Sequence, residues 1–256
     1  MLGPVAYAIA ASDLRPVNKR NVMLKYADDS YLIVPADNYN TCEAEIANIE
    51  AWSKCNNLKL NRSKCVEIVF MRSNSAVTAL PPPLPLVARV NELKILGVTL
   101  GSRLTVHSHI EATLISCAQT LHALRTLRAH SLPDALIYKA FHAIILAKIT
   151  YCSPAWRGYL QADDIARMEA FLRKAIKYNY CPLTSLPLSD MLDKLDTKLF
   201  HSIVSNPNHV LHPQLPPKAD HKYNLRPRPH NLSLPTKTSA LNARGFITRM
   251  IYKDSY

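Results

Sequence analysis

Residues 21–34, NVMLKYADDSYLIV, set the tightest constraint on how this 256-residue chain can fold. Val22, Leu24 and Tyr26 alternate with Met23 and Lys25, and Tyr31 to Val34 is apolar, β-branched and aromatic. Two such runs on either side of a short polar break spell a β-hairpin. The break holds adjacent carboxylates, Asp28 and Asp29, which repel each other at a tip unless a cation lies between them. A divalent-metal site is therefore one reading. Asp-Asp is also an ordinary turn dipeptide. The same Ala-Asp-Asp recurs at Ala162-Asp163-Asp164, before a helical pattern, where it reads as a cap with first-turn charge.

Thirty-one Lys and Arg against nineteen Asp and Glu give a net charge of +12 and a pI near 9.5. Such a surface favours polyanions, nucleic acid before anionic membrane. With only five glycines there is no G-x-G-x-x-G or G-x-x-x-x-G-K, which disfavours phosphate-loop nucleotide folds. The six cysteines never form C-x-x-C, which argues against a zinc ribbon or a redox motif, and most are expected to be buried thiols in a reducing compartment. Histidines 107, 109, 209, 212 and 221 lack paired cysteines that would make a zinc site. MLGPVAYAIAAS lacks a basic n-region and is broken by Pro4, unlike a secretory signal. Lys139, His142 and Lys148 interrupt the longest apolar run, residues 135–152, which reads as a core helix rather than a membrane span. The expected setting is intracellular, without a membrane partner.

Val5 to Asp13 reads as a short helix. Residues 37–57 form an amphipathic pattern with Cys42, Ile46, Ile49 and Trp52 inward and Glu43, Glu45 and Glu50 on a solvated face. Residues 65–71 read as a strand, and 86–90 with 93–100 as a second hairpin around Asn91-Glu92. A stiff Pro81-Pro82-Pro83 connection precedes that hairpin. Together these predict an α+β layer, antiparallel hairpins packed on a helix. Three helical patterns follow, at 109–130, 133–151 and 163–180, with a weaker fourth at 188–204. Their expected apolar stripes are Leu114, Ala118, Leu121 and Leu124, then Leu136, Ala140, Ala143, Ile144 and Ala147. From Ser205 the chain holds seven prolines, four histidines and eight Lys or Arg against two acids. It reads as a basic tail with a short helix at 242–253, and Lys218, Lys222, Arg226 and Arg228 are candidates to neutralise phosphates.

Tyr26-Ala27-Asp28-Asp29 between strand-like runs resembles the Y/F-x-D-D motif of reverse transcriptases, in the form common in non-LTR (LINE-type) retrotransposons. Met1-Leu2-Gly3-Pro4 and Ser12-Asp13-Leu14 resemble the segments that precede the motif, and residues 57–70, NLKLNRSKCVEIVF, the palm motif that follows it. LKILGVTL at 93–100 is similar to the primer-grip hairpin, and residues 223–256 resemble the end of such polyproteins. The resemblance implies a partial polymerase palm at 1–101, an all-α thumb-like domain at 102–204 and a basic, Pro-rich tail at 205–256. It implies RNA-directed DNA polymerisation, in which two divalent ions, Mg2+ or Mn2+, assist nucleotidyl transfer to a primer 3′-hydroxyl. Asp28 and Asp29 would be metal ligands, and Lys64 would protonate the leaving group. Leu96-Gly97 would approach the primer, with an RNA template and a DNA primer or target as partners. The family also needs an earlier palm carboxylate, yet only 27 residues precede Asp28 and Asp13 is the sole acid among them. The chain is thus expected to be the C-terminal half of such an enzyme, inactive alone. A non-catalytic nucleic-acid-binding module and a non-functional retroelement remnant stay open as alternatives.

Overall fold

The computed structural model describes residues 3–71, 80–182, 187–218 and 230–253, in two compact units, 1–92 and 93–256. The chain mixes helices with small hairpins.

The first unit opens with α1 (Gly3–Ala10), followed by β1 (Val22–Tyr26) and β2 (Asp29–Ile33), paired antiparallel from Val22↔Ile33 to Tyr26↔Asp29. This is the hairpin that the alternation predicts. A 3-10 turn at Ala36–Thr41 leads into α2 (Cys42–Cys55). The inward face of α2 carries Glu45, fully buried, and not only apolar residues. The expectation of a solvated Glu43–Glu45–Glu50 face is corrected there. Val17 N (2.9 Å), Asn18 N (2.8 Å) and Asn21 Nδ2 (2.8 Å) all donate to the Glu45 carboxylate, so the buried charge is held by hydrogen bonds.

The strand expected at 65–71 shortens to β3 (Val66–Glu67), which pairs parallel with β4 (Ala88–Arg89). Residues 86–90 were expected in a hairpin with 93–100, but β4 turns to β3 instead. Arg89 explains the preference: its guanidinium donates to Glu67 Oε2 (2.9 Å), Pro81 O (2.6 Å) and Pro82 O (3.0 Å). A charge-assisted fork thus holds the proline-rich connection, whose prolines cannot donate to a ladder.

The second unit begins with the antiparallel β5 (Glu92–Ile95) and β6 (Val98–Gly101), turned at Leu96-Gly97, so the hairpin similar to a primer grip clusters with the helices. Then come α3 (His107–Ala129), α4 (Asp134–Ala140), a π-helical segment (Phe141–Leu146), α5 (Ala147–Thr150), α6 (Ser153–Trp156) and α7 (Ala162–Lys177). α8 (Leu188–Ser205), α9 (Ala240–Arg244) and α10 (Phe246–Tyr252) complete the unit. Its main core joins Ile110, Cys117 and Leu124 of α3 to Ile137, Phe141, Ile145 and Ile149, with Trp156, Met168, Leu172 and Leu192. Burial pushes the Cys117 thiol up to about 11, which leaves it an inert core group.

Two expected stripes shift. On α3 Ala118 is exposed and Cys117 buried; on the next helix Leu136 and Ile144 are exposed while Ile137, Phe141, Ile145 and Ile149 are buried. A spacing of four drifts about 40° per step on a 3.6-residue helix. The π-helical segment absorbs part of that drift and keeps the four on one face. This stretch, Asp134–Tyr159, is the one helix among the described residues long and apolar enough to cross a membrane, yet its stripe lies in the core.

The C-terminal residues pack as a second cluster, in which Phe200 of α8 meets Leu232, Met250 and Ile251. The Arg244 carbonyl sits so close to Gly158 that a Cβ there would lie 2.0 Å from its oxygen. Asp196, fully buried on α8, accepts from Arg157 Nη1 (2.8 Å) and Arg249 Nη1 (2.6 Å), tying α10 to the helical unit.

Candidate active site and nucleic-acid interface

The β1–β2 turn consists of two residues, Ala27 and Asp28, with Ala27 in the left-handed region at φ 50°. A positive φ at the first turn position matches the twist of the flanking strands. Small Ala27 takes that conformation with less crowding than a branched residue would. Asp28 therefore occupies the tip itself and Asp29 the first rung of β2. Both are exposed, and neither carboxylate makes a hydrogen bond or ion pair with the described residues.

The register gives the hairpin two unlike faces. Met23, Lys25 and Leu32 form one face, which Lys25 fastens to the loop after α1 by donating its ammonium to Leu14 O (2.7 Å) and Ala11 O. Val22, Leu24, Tyr26, Asp29, Tyr31 and Ile33 share the other. There Val22, Leu24, Tyr26 and Ile33 are between 49% and 64% exposed. Asp29 thus stands at the end of an open apolar face.

Carboxylate oxygens suit Mg2+ or Mn2+, and an unpartnered adjacent pair is the right donor type. The set is incomplete: among the described residues no group of three Asp, Glu, His or Cys comes together to hold a metal. Asp13, the acid nearest before the hairpin in sequence, accepts instead from Trp52 Nε1 at 2.9 Å. Lys64 lies exposed in a 3-10 turn, Arg62–Lys64, after α2. Its ammonium makes no hydrogen bond or ion pair with the described residues, Asp28 and Asp29 included.

Leu96 and Gly97, at φ 46° and 91°, form the turn of the β5–β6 hairpin. Positive φ at both central residues suits a tight two-residue hairpin. The Tyr151 hydroxyl donates to Leu96 O at 3.1 Å, and a Cβ on Gly97 would come within 3.1 Å of Tyr151 Cε1. Glycine therefore serves both the backbone conformation and the close approach. Tyr151 O accepts from Trp156 Nε1 at 2.8 Å, and Trp156 meets buried His109 edge-on at 5.8 Å. Burial, with Lys94 nearby, holds the His109 imidazole below its usual range. Sequence reading missed Tyr151 and Glu45; an isolated Tyr, or a Glu on an acidic helix face, carries no local mark of its partner.

Of the basic candidates, Lys218 is exposed and forms an isolated antiparallel bridge with Leu232. Lys222, Arg226 and Arg228 lie outside the described residues.

The chain is similar to a probable RNA-directed DNA polymerase from the transposon BS of Drosophila melanogaster. The two are 30% identical over 195 residues, covering 70% of this chain and 21% of that protein. The chain is thus similar to the reverse transcriptases of non-LTR retrotransposons. Another such reverse transcriptase, the RNA-directed DNA polymerase from the Drosophila mobile element jockey, is 24% identical over 121 residues, 43% of this chain and 13% of its own length. The chain thus spans about a fifth or less of the reverse transcriptases it matches. No family model and no solved structure matches it.

Proposed function

We propose that this chain is a portion of a retrotransposon RNA-directed DNA polymerase, containing the end of the palm and a thumb-like helical unit. The observation that carries the reading is the similarity to the BS polymerase over most of the chain. The hairpin that sets Asp28 and Asp29 at an exposed tip supports it. In this reading the chain takes an RNA template and a DNA primer or target, and it works inside the cell. Leu96 and Gly97 present the hairpin backbone to the primer strand, Lys64 is the proton donor, and Lys218, Lys222, Arg226 and Arg228 neutralise phosphates. A bound Mg2+ or Mn2+ would neutralise phosphoryl charge during transfer to the primer 3′-hydroxyl. Asp28 and Asp29 supply two donors but not a complete centre, so no step is assigned to the metal here, and the chain by itself is proposed to be inactive.

That incomplete donor set also favours a second role, binding template–primer without chemistry. One assay series separates the two. Primer extension on an RNA template in Mg2+ or Mn2+ should yield no product above background, while an RNA–DNA hybrid should bind with strong salt dependence. Extension abolished by Asp28→Ala would refute the inactivity; absence of salt-dependent binding would refute both roles.

A further inference from the structure

α8 is two-sided. Leu188, Leu192, Asp196, Phe200 and Ile203 are buried, whereas Lys194, Lys198 and His201, at i, i+4 and i+7, lie together on the exposed side. With Asp190, Asp193, Thr197 and Lys253 they line an open concavity of about 710 Å3.

The charges around it are unevenly matched. Asp193 is engaged by Arg157 and, at 3.7 Å, by Lys253, whose ammonium also donates to Thr197 Oγ1 at 3.2 Å. Asp196 is occupied by Arg157 and Arg249. The Asp190 carboxylate accepts from Ser189 Oγ at 3.1 Å. The ammonium groups of Lys194 and Lys198 are left with no ion pair or hydrogen bond to the described residues. Like charges one helical turn apart weaken a helix by a few tenths of a kcal/mol, roughly 0.2–0.5. An anion running along the helix would relieve that repulsion.

We propose that the Lys194–Lys198–His201 face of α8 is a phosphate track for a single strand of nucleic acid, an inference that rests on the nucleic-acid reading of the chain. From Lys194 to His201 the helix rises about 10 Å. The face is thus long enough to run beside more than one phosphate of a strand. A membrane is a poorer occupant: an interfacial helix inserts the apolar face opposite its cations, and on α8 that face, with Leu188, Leu192, Phe200 and Ile203, is already buried in the protein.

The test is fluorescence anisotropy of a labelled 20-nucleotide single-stranded RNA with the full chain across a salt series. It compares wild type, Lys194→Gln/Lys198→Gln, and a charge-matched control, Lys54→Gln/Lys59→Gln. Removing two phosphate contacts should reduce the slope of log K against log salt by about 1.4, from roughly 0.7 per contact, while the control keeps the wild-type slope. Hydrogen exchange should show α8 slowing when RNA binds. A wild-type slope in the α8 variant, or an equal fall in the control, would overturn the track while leaving the nucleic-acid reading in place. Absence of salt-dependent RNA binding by wild type would remove that reading and the track with it. Phosphatidylserine-vesicle binding that the α8 variant loses, with its RNA slope unchanged, would assign the face to lipid and also overturn the proposal.

Discussion

Three N–H groups of the loop before the β1–β2 hairpin converge on Glu45, and that convergence decides the environment of its carboxylate. Burial alone would push the Glu45 carboxyl up, but the donors at Asn18, Val17 and Asn21 outweigh it and hold the group below its usual 4.5. The folded value being depressed, the stabilisation is complete above pH 4.5 and is lost as pH falls through the lower folded value. Glu45→Ala should destabilise the first unit by about 2–4 kcal/mol, because three buried donors lose their acceptor. Glu45→Gln should cost less and should flatten the loss of stability below pH 4.5; denaturant melts at pH 7 and pH 4 check both. The two Ala-Asp-Asp sequences show how far residue identity carries. Asp164 is fully buried, takes a hydrogen bond from Gln161 N (3.2 Å) and meets His107 Nδ1 at 2.7 Å, whereas the Asp28 and Asp29 carboxylates stand exposed and without partners among the described residues. The difference was legible from the flanking patterns, helical in one case and alternating in the other. The partners Gln161 and His107 were not, since His107 is 57 residues away.

Among the elements, the β5–β6 hairpin carries the clearest local strain. Leu96 holds φ 46° in a turn where Asn, Asp or Gly is the usual occupant. Leu96→Asn should therefore raise the stability of the second unit by about 0.5–1 kcal/mol. The Tyr151 bond is kept because it uses the backbone carbonyl. An unchanged or lower melting midpoint would show that the Leu96 side chain contributes packing that its 41% exposure does not suggest. The β1–β2 turn was readable, since it breaks an alternating apolar run, whereas the residue pattern put the second turn at Asn91-Glu92 and only the family resemblance marked LKILGVTL as a hairpin. The pairing of β4 was not readable, because it depends on Arg89 reaching Glu67 and the Pro81 and Pro82 carbonyls. The helix at 134–150 was readable as a helix, but its buried face was displaced by one residue. Apolar side chains occur on both sides of it, and only the π-helical segment selects Ile137, Phe141, Ile145 and Ile149.

At the scale of the whole chain, the Val22–Leu24–Tyr26–Ile33 face leaves apolar surface exposed among the described residues. The isolated chain should self-associate with rising concentration in sedimentation velocity. Replacing Val22, Leu24 and Ile33 together by Thr, which keeps strand propensity, should shift it toward monomer. A wild-type sample that stays monomeric at high concentration would contradict this. The family was legible from motif order, whereas the division at 92/93 was not, because β5 and β6 read as one more hairpin of the first domain until their packing on the helical unit is seen. The proposed function rests on Asp28 and Asp29 acting as metal-binding carboxylates, two donors that find no third among the described residues. The most direct measurement replaces the matching segment of the jockey polymerase with this chain and assays RNA-templated primer extension. Extension by the chimera, lost by at least a hundredfold with Asp28→Ala while template–primer binding persists, is the predicted result; extension that survives Asp28→Ala would contradict the account.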